Sequence, residues 1–318
     1  EKSTLIVKEN LRDVYDSISK MTEFNLIEIY KDLFKNLNTF LNEINVGYDD
    51  SFISHIKTYT IDNLNAKILN YEDQVALLYL KGALGDIPTT SQIKYVIIDE
   101  AQDYTPLQYE IFYQLFKSAN MTILGDINQS INPFMNVGNY NNIYNISQND
   151  TCIINLTKSY RSTMEITKFS RNLLSENIDD ECVERHGDEP TIVSFSDKLS
   201  MNEKLVEDIK SYSEKNYKSI GIITKTARET KVLYNFLKEN SIDVSSIEKD
   251  DDYYTNGVTV IPSYLAKGLE FDVVFIYDAS NKNYNSEDER LLLYTCCTRA
   301  LHVLNVYHLG EITDLLKQ

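Results

Sequence analysis

From residue 94 onward, short runs of β-forming apolar residues alternate with segments of helical periodicity. The runs are YVII, MTIL, TCIINL, TIVSF, SIGIIT, GVTVI, DVVFIY and HVLNVY. Segments such as PLQYEIFYQLFKS, MEITKFSRNLLS, NEKLVEDIKSY and ARETKVLYNFLKEN separate them. Because parallel strands need a long crossover between them, usually a helix, this order predicts an α/β fold built on doubly wound parallel sheets.

The first of these runs leads directly into acidic residues, in the stretch YVIIDEAQD at 95–103. The run does not alternate between apolar and polar residues, so it predicts a buried strand with Asp99 and Glu100 at its carboxyl end. Ligands bind at that edge of open α/β sheets, and two adjacent carboxylates there could hold Mg²⁺ and orient a water. By position alone, a strand that ends in a solvated turn is the simpler interpretation.

The overall charge limits the partners that this chain can take. Its 318 residues allow two domains, and 48 acidic against 31 basic residues give a net charge of −17. Such a surface repels a phosphate backbone, which argues against a simple coat for nucleic acid and suits docking on a basic protein. The acidic runs DDECVERHGDE and EKDDD are interpreted as solvated loops.

The four cysteines show no metal-ligand spacing, and the adjacent pair among them is poorly placed for a disulfide; they are Cys152, Cys182, Cys296 and Cys297. A reduced, cytoplasmic setting is therefore expected. No stretch approaches the roughly 20 apolar residues that span a bilayer, and the first ten residues do not form a signal peptide, so we expect no membrane partner.

The part before residue 94 is predicted to be helical. Up to residue 85 it contains no proline, and apolar residues recur at helical spacing in LIEIYKDLFKNLNTFLNEI and YEDQVALLYLKGAL. By contrast, the asparagine-rich stretch 135–150 predicts a loop.

Further polar residues stand at the ends of the predicted strands and helices. They are Asp126, Asn128 and Gln129 in ILGDINQS, Arg161 in LTKSYRST, Lys267 and Glu270 in AKGLEFDVVFI, and Arg299 in LLLYTCCTRAL. Taken singly, each fits an ordinary polar strand end, a surface ion pair or a cation at a helix terminus. A glutamine beside a carboxylate pair could also orient a water or sense a γ-phosphate.

Together, the order and spacing of these segments resemble the motor core of the UvrD/Rep-type superfamily 1A helicases. DEAQD resembles motif II, LGDINQSI motif III, KSYRST motif IV, SYLAKGLEFDVVF motif V and LLYTCCTRA motif VI. Within the family, the chain looks most similar to the helicase IV/HelD branch, whose Gram-positive members remodel RNA polymerase complexes. The resemblance implies RecA-like sheets, ATP and Mg²⁺ as cofactors, and single-stranded or duplex DNA as a partner.

The resemblance also implies roles for individual residues around ATP. Asp99 would bind Mg²⁺, and Glu100 would activate the hydrolytic water. Gln129 would contact the γ-phosphate and couple it to the nucleic-acid site. Tyr160 would stack on the adenine, and Arg161 would reach the γ-phosphate from the second motor domain.

Two further residues complete the implied nucleotide site, and two aromatic residues are implied for nucleic acid. Glu270 would meet the ribose, and Arg299 would act as the second arginine of the site. Phe134 is a candidate platform for base stacking, with core packing as the alternative. Tyr264 stands where the family usually has histidine in motif V and could stack or bond to phosphate. The departures from the family's motifs III and V put strand-unwinding activity in doubt more than ATP hydrolysis.

A P-loop is missing, because none of the ten glycines is followed by lysine. The chain therefore looks like the C-terminal portion of a larger motor, in three parts. Residues 1–90 would form a helical region, 91–151 the C-terminal part of an incomplete first RecA-like domain, and 152–318 a complete second RecA-like domain.

From this division we expect the isolated chain to be inactive and to need the missing N-terminal motor half. RNA polymerase core is a further partner that the HelD resemblance implies. The alternative is a non-catalytic RecA-like module that docks on RNA polymerase.

Overall fold

The computed structural model describes residues 25–85, 92–146, 151–174, 184–215, 217–247 and 256–317. Cys182, the run EKDDD and the start of the predicted helical region lie outside the described residues. The chain forms two compact units. The first comprises residues up to Val96 together with Pro106–Met121, and the second comprises Ile97–Thr105 together with Thr122–Gln318.

The described part of the first unit consists mainly of helices, and for residues 25–85 this agrees with the sequence prediction. Its helices are α1 (Leu26–Lys35), α2 (Leu37–Glu43), α3 (Asp50–Asn65), α4 (Tyr71–Ala83) and α5 (Pro106–Leu115). Tyr30, Leu64 and Leu77 form a small buried cluster within it. The buried Tyr30 hydroxyl donates to Oδ1 of Asp73 at 3.0 Å, which satisfies the polar end of that ring.

A two-stranded sheet, β1 (Tyr95–Ile98) and β2 (Asn120–Ile123), precedes the acidic residues. In β1, Tyr95 is 76% exposed and Ile97 is 72% exposed, whereas Ile98 is buried. The prediction of a buried strand is therefore wrong, because one face of β1 has no cover in the described part of the chain. The carboxyl ends of both strands stay together, since Leu124 N–H donates to the Ile98 carbonyl at 2.8 Å.

The second unit contains a six-stranded sheet in which every pair of neighbouring strands is parallel, in the order β3-β8-β7-β4-β6-β5. Its strands are β3 (Thr191–Phe195), β4 (Ser219–Thr224), β5 (Val244–Ser246), β6 (Gly257–Pro262), β7 (Phe271–Ile276) and β8 (Ala300–Leu309). Because the carboxyl ends of parallel strands meet at one edge, the loops that follow β4, β6 and β7 lie together.

Both faces of this sheet are buried under helices. Helices α7 (Met164–Arg171) and α10 (Arg290–Cys297) contribute to one apolar cluster with Val274 and Ile276 of β7. Helices α8 (Lys198–Glu214) and α9 (Ala227–Glu239) contribute to a second cluster with Val273 and Phe275 of the same strand. Neighbouring residues of β7 thus pack on opposite faces, which confirms the predicted doubly wound sheet.

Three local differences separate the structure from the sequence prediction. TCIINL is not a strand: residues 151–158 have no regular structure, and Leu156 is 88% exposed. A run of β-formers becomes a strand only where it pairs in a sheet, and residues 151–156 belong to neither of the two sheets described. The asparagine-rich stretch contains helix α6 (Tyr140–Ile146), and the short strand β5 was not predicted. No helix in the described part of the chain is both long and apolar enough to cross a membrane.

Candidate active site

The acidic pair after β1 is held by a strained turn. Glu100 has φ 49° and ψ 42°, the left-handed region that non-glycine residues rarely adopt. Its backbone N–H donates to Oδ1 of the exposed Asp99 at 2.8 Å. Backbone strain of this kind persists where surrounding contacts fix it and is frequent in active sites. The chain thus leaves the extended conformation of β1 at Glu100.

Gln102 connects the acidic turn to the end of β2. Its side-chain amide donates to Oε2 of Glu100 at 2.8 Å, and its carbonyl accepts from the Asp126 N–H at 3.1 Å. Gln102 has no exposed surface. A Cβ atom at Gly125 would lie 2.5 Å from Oε1 of Gln102 and 2.5 Å from the Tyr140 hydroxyl, so only glycine leaves room for this bridge.

Lys267 forms ion pairs with two carboxylates of the segment after β1, those of Glu100 and Asp103. Its amino group lies 3.2 Å from Oε2 of Glu100 and 2.5 Å from Oδ2 of Asp103, and its side chain is almost completely buried. Lys267 is followed by Gly268, which has φ +79° and turns the chain into β7. The two ion pairs of Lys267 link the segment before β7 to the segment after β1. They also place a positive charge beside the carboxylate of Glu100, which the resemblance implies as the base.

A second set of contacts joins Gln129 to Arg299. The Gln129 amide donates to Oδ2 of Asp126 at 3.0 Å, and its carbonyl accepts from Nη2 of Arg299 at 2.7 Å. Asp126 also accepts from the Asn128 N–H at 3.0 Å, which closes the turn after β2. The hydrogen bonds therefore form a continuous path from Glu100 through Gln102, Asp126 and Gln129 to Arg299.

Arg299 is buried, with only 1% of its surface exposed. Besides Gln129, its guanidinium donates to the carbonyls of Thr295 at 3.0 Å and Leu269 at 3.5 Å. Burial, and secondly the positive charge of Arg161, lower the pKa of Arg299 from its ordinary value. The positive charges of Arg299 and Arg161 repel each other, and a shared anion between them would relieve that repulsion.

Arg161 and Glu270 form an ion pair, with Nε of Arg161 2.6 Å from Oε1 of Glu270. Both side chains are partly exposed, so this pair contributes little to stability and can exchange for a ligand. Arg161 also lines a pocket of about 170 Å³ together with Gln129, Lys158 and Thr298. The structure thus brings residues of the implied motifs III, IV and VI to one pocket.

The three aromatic side chains singled out in the sequence keep exposed ring faces. Tyr160 is 70% exposed, Phe134 is 87% exposed and Tyr264 is partly exposed. The alternative that Phe134 packs in the core is therefore wrong. Asn132 explains its position, because the Asn132 side-chain oxygen accepts from the N–H groups of Phe134 at 3.0 Å and Met135 at 3.2 Å and closes a turn that presents the ring.

Tyr140 is a polar residue that the sequence did not single out. Burial, followed by the negative charges of Asp126, Glu100 and Asp103, raises its pKa to about 12. Its phenol therefore stays protonated at neutral pH beside the carboxylates. The residue lies on α6, in the stretch predicted as a loop, so only the fold reveals its position.

A magnesium ion fits this site only as one shared with phosphate oxygens. No group of three or more histidine, cysteine, aspartate or glutamate side chains in the described part of the chain could hold a metal by itself. Asp99 supplies an exposed carboxylate oxygen, and Mg²⁺ commonly takes one or two carboxylates together with substrate phosphates. An ion held at Asp99 would supply positive charge beside a bound anion.

Sequence reasoning missed how the residues of this candidate site are connected. Gln102 was not singled out, and Asp126 and Lys267 were named only as polar residues near the ends of predicted strands. Their signal in the sequence was weak: a buried polar residue inside an acidic motif, and a glycine after β2 that leaves no space for a side chain.

Comparisons with known families agree with the order of these motifs. Residues 4–151 match the UvrD/REP helicase N-terminal domain, and residues 154–265 and 257–307 match the UvrD-like helicase C-terminal domain. The chain carries UvrD/Rep-type superfamily 1 helicase domains. The six-stranded parallel sheet with helices on both faces is the RecA-like fold expected of such domains.

Three curated relatives show how much of a UvrD/Rep-type protein this chain covers. It is 27% identical to a protein assigned as an ATP-dependent DNA helicase in Acanthamoeba polyphaga mimivirus, over 85% of this chain and 43% of that protein. It is 23% identical to the ATP-dependent DNA helicase Rep of Buchnera aphidicola, over 83% of this chain and 44% of Rep. It is 34% identical to the ATP-dependent DNA helicase PcrA of Staphylococcus aureus, over 26% of this chain and 13% of PcrA. The chain thus spans less than half the length of these relatives.

Among solved structures, the C-terminal domain of a possible DNA helicase from Lactobacillus plantarum WCFS1 is 36% identical to this chain. The match covers 50% of this chain and 92% of that domain, with a TM-score of 0.44.

Proposed function

We propose that this chain is the motif II to motif VI portion of an ATP-dependent DNA helicase or translocase. The observation that carries the proposal is the contact between Gln129 and Arg299, 2.7 Å apart, beside the Arg161–Glu270 pair. Four side chains from four separate motifs meet there, and a scaffold would need none of them. The names of the relatives, Rep and PcrA among them, support the same activity.

The proposed residue roles follow from charge and position. Asp99 holds Mg²⁺, and Glu100 accepts a proton from the attacking water once Lys267 moves away from it. Gln129, Arg161 and Arg299 contact the γ-phosphate, where a positive charge stabilises the transition state of phosphoryl transfer.

The remaining proposed roles concern binding. The base of ATP stacks on Tyr160, and Glu270 exchanges Arg161 for the ribose. Phe134 and Tyr264 bind single-stranded or duplex DNA, the former by stacking. Because nucleotide contacts come from separate segments, ATP turnover can drive motion of those segments and movement along DNA.

The division into a helical region, an incomplete first motor domain and a complete second one, at 1–90, 91–151 and 152–318, is part of this proposal. The exposed residues Ile97 and Leu156 support it, because apolar side chains of a β-forming run are normally covered by neighbouring layers. The isolated chain, without a P-loop, is proposed to be inactive, and a phosphate-binding N-terminal half restores turnover.

The test is a titration of the chain with a fluorescent ATP analogue and Mg²⁺, repeated after a P-loop-containing N-terminal half of a UvrD/Rep-type relative is added in trans. We expect no saturable binding by the chain alone, and binding with ATP turnover by the mixture. Turnover should disappear with Glu100→Gln. Protein-limited turnover by the chain alone that Glu100→Gln abolishes would overturn the proposed inactivity, and a mixture that never turns over ATP would overturn the proposed function.

We further propose that the branch within the family is that of helicase IV/HelD, with RNA polymerase core as a partner. The net charge of −17 supports a basic protein partner. The second candidate function, a non-catalytic module that docks on RNA polymerase, rests on the same charge. Retention of polymerase core by the immobilised chain, at a salt concentration that strips nucleic acid, tests both. Retention by the wild type and by Glu100→Gln, without turnover in any mixture, would favour the docking module.

A further inference from the structure

Residues Arg185, His186 and Gly187, here called the strap, lie against the start of helix α7. The Met164 N–H donates to the Arg185 carbonyl at 2.8 Å. Glu165 accepts from Nδ1 of His186 at 2.8 Å and from the Gly187 N–H at 2.9 Å. The acidic run that contains the strap is predicted to be a solvated loop, and these three residues agree with that prediction, since they have no regular structure and His186 and Gly187 are exposed. Hydrogen bonds nevertheless attach them to the helix.

The strap fits closely against the helix start. A Cβ atom at Gly187 would lie 2.5 Å from Cγ2 of Thr163, the residue that caps helix α7. Glycine at this position therefore allows the strap to approach the helix. These contacts hold the strap against the helix through its backbone and through His186. They do not involve the Arg185 side chain.

The Arg185 side chain reaches the residue implied to contact the γ-phosphate. Its Nη1 donates to the backbone carbonyl of Arg161 at 2.6 Å. Its Nη2 lies 3.0 Å from Nδ1 of His302, on strand β8. On the other side of the same peptide, the Ser162 hydroxyl donates to the Ala300 carbonyl at 2.6 Å. The backbone at Arg161 is thus held from two directions.

We propose that Arg185 is a positioning residue for Arg161, acting through the Arg161 carbonyl and oriented by His302. This inference rests on the proposed function, in which Arg161 contacts the γ-phosphate. The physical reason is that the planar guanidinium offers several donors in a fixed geometry, so one side chain can bond to a carbonyl and a ring nitrogen together. With the carbonyl fixed, the direction in which the Arg161 side chain leaves the backbone is fixed as well.

A role limited to capping helix α7 would require contacts between the strap and that helix, and none with Arg161. Within the described part of the chain, the His186 side chain contacts helix α7 through Glu165, whereas the Arg185 side chain contacts the Arg161 carbonyl. His186→Ala is therefore a matched control: it weakens the strap on the helix without touching the Arg161 carbonyl. Arg185→Lys keeps the charge and offers a single ammonium in place of the fork.

In the chain supplied with the P-loop half, we expect Arg185→Ala to lower kcat for ATP by on the order of 10- to 100-fold with a smaller change in KM. Arg185→Lys should restore part of kcat, and His186→Ala should leave it within about twofold of the wild type. In an Arg161→Ala background, Arg185→Ala should have no further effect, since it acts through Arg161. Equal losses in both backgrounds, or equal losses for Arg185→Ala and His186→Ala, would overturn the proposal.

Amide hydrogen exchange of the chain by itself separates this inference from the proposed function. We expect Arg185→Ala to speed exchange at residues 160–162, and His186→Ala to speed it only at the start of α7. Faster exchange confined to the start of α7 in both variants would reduce Arg185 to a helix cap and overturn the inference. If exchange changes as expected while the wild-type mixture turns over no ATP, the proposed function fails and the positioning of Arg161 stands.

Discussion

Gln102 shows how a residue without reactive chemistry can hold an active site together. Its amide donates to the Glu100 carboxylate and accepts from the Asp126 N–H, and no water reaches it. An amide side chain can donate from its nitrogen and accept at its oxygen at the same time without carrying a charge. Aspartate or glutamate would bring a second negative charge to Glu100, and an apolar residue would leave the Asp126 N–H unpaired.

We therefore expect Gln102→Leu to destabilise the chain by about 1–3 kcal/mol, the cost of leaving a buried polar group unsatisfied. With the P-loop half present, ATP turnover should fall by roughly tenfold, a part of what a positioned base supplies. Urea unfolding and steady-state ATPase assays measure the two effects.

The matched control is Gln108→Leu, because Gln108 is also buried and donates to the Tyr71 hydroxyl in the helical unit. Both variants should lower stability, and only Gln102→Leu should lower turnover. Similar turnover in the two variants would show that the bridge to Glu100 has no influence on the reaction.

At the scale of elements, the start of helix α7 combines several stabilising contacts. Thr163 caps it by accepting from the Ile166 N–H, and Glu165 lies in its first turn, where a negative charge is favourable. The hydrogen bond from His186, followed by bonds from backbone N–H groups, lowers the pKa of Glu165 to about 2. The ionised carboxylate therefore stabilises the folded chain.

The sign of the pH dependence follows from that lowered pKa. A group with a folded pKa below its unfolded value of 4.5 stabilises fully above 4.5, and the contribution disappears as pH falls towards 2. We expect Glu165→Gln to be less stable than the wild type above pH 4.5, with the difference shrinking to nothing near pH 2. Urea unfolding over this pH range measures it. Glu203→Gln, which removes a carboxylate from the exposed face of α8, is the matched control.

Strand β4 depends on a glycine at its centre. A Cβ atom at Gly221 would lie 2.5 Å from the Phe271 ring, which is completely buried at the start of β7. Neither the ring nor the backbone has room to move, so we expect Gly221→Ala to destabilise the chain by about 1–3 kcal/mol. Gly47→Ala, where a Cβ meets nothing within 4 Å, should change stability by no more than about 0.5 kcal/mol. Thermal unfolding measures the stability of both variants. Equal stability of Gly221→Ala and Gly47→Ala would contradict the packing argument.

The elements that could be predicted from the sequence are those whose pattern and partners lie close together in the chain. Strands β4, β6 and β7 are continuous apolar runs, and each is buried as expected. The same kind of pattern in β1 and in TCIINL failed, because burial there depends on neighbours and not on the run itself. Motif order predicted which residues would meet, whereas the bridge through Gln102 could not be seen, since only folding brings it beside Asp126.

The charge of the whole molecule limits how it could bind DNA, the partner proposed above. At a net charge of −17, long-range attraction to phosphates is unfavourable, so binding must come from short-range contacts at a few positions. Phe134, which the Asn132 turn presents to solvent, can stack on a base without any charge. Affinity for single-stranded DNA should then depend more on rings than on salt.

We expect Phe134→Ala to weaken binding of a labelled single-stranded oligonucleotide by about 5- to 150-fold, the range that corresponds to one stacked base. The slope of log affinity against log salt should stay the same, because the ring displaces no counterions. Phe40→Ala, which removes an exposed ring from the helical unit, is the matched control and should leave affinity unchanged. Fluorescence anisotropy at several salt concentrations measures both quantities. A changed slope with Phe134→Ala would mean that the variant disturbs phosphate contacts, and equal affinities of Phe134→Ala and the wild type would remove Phe134 from the DNA site.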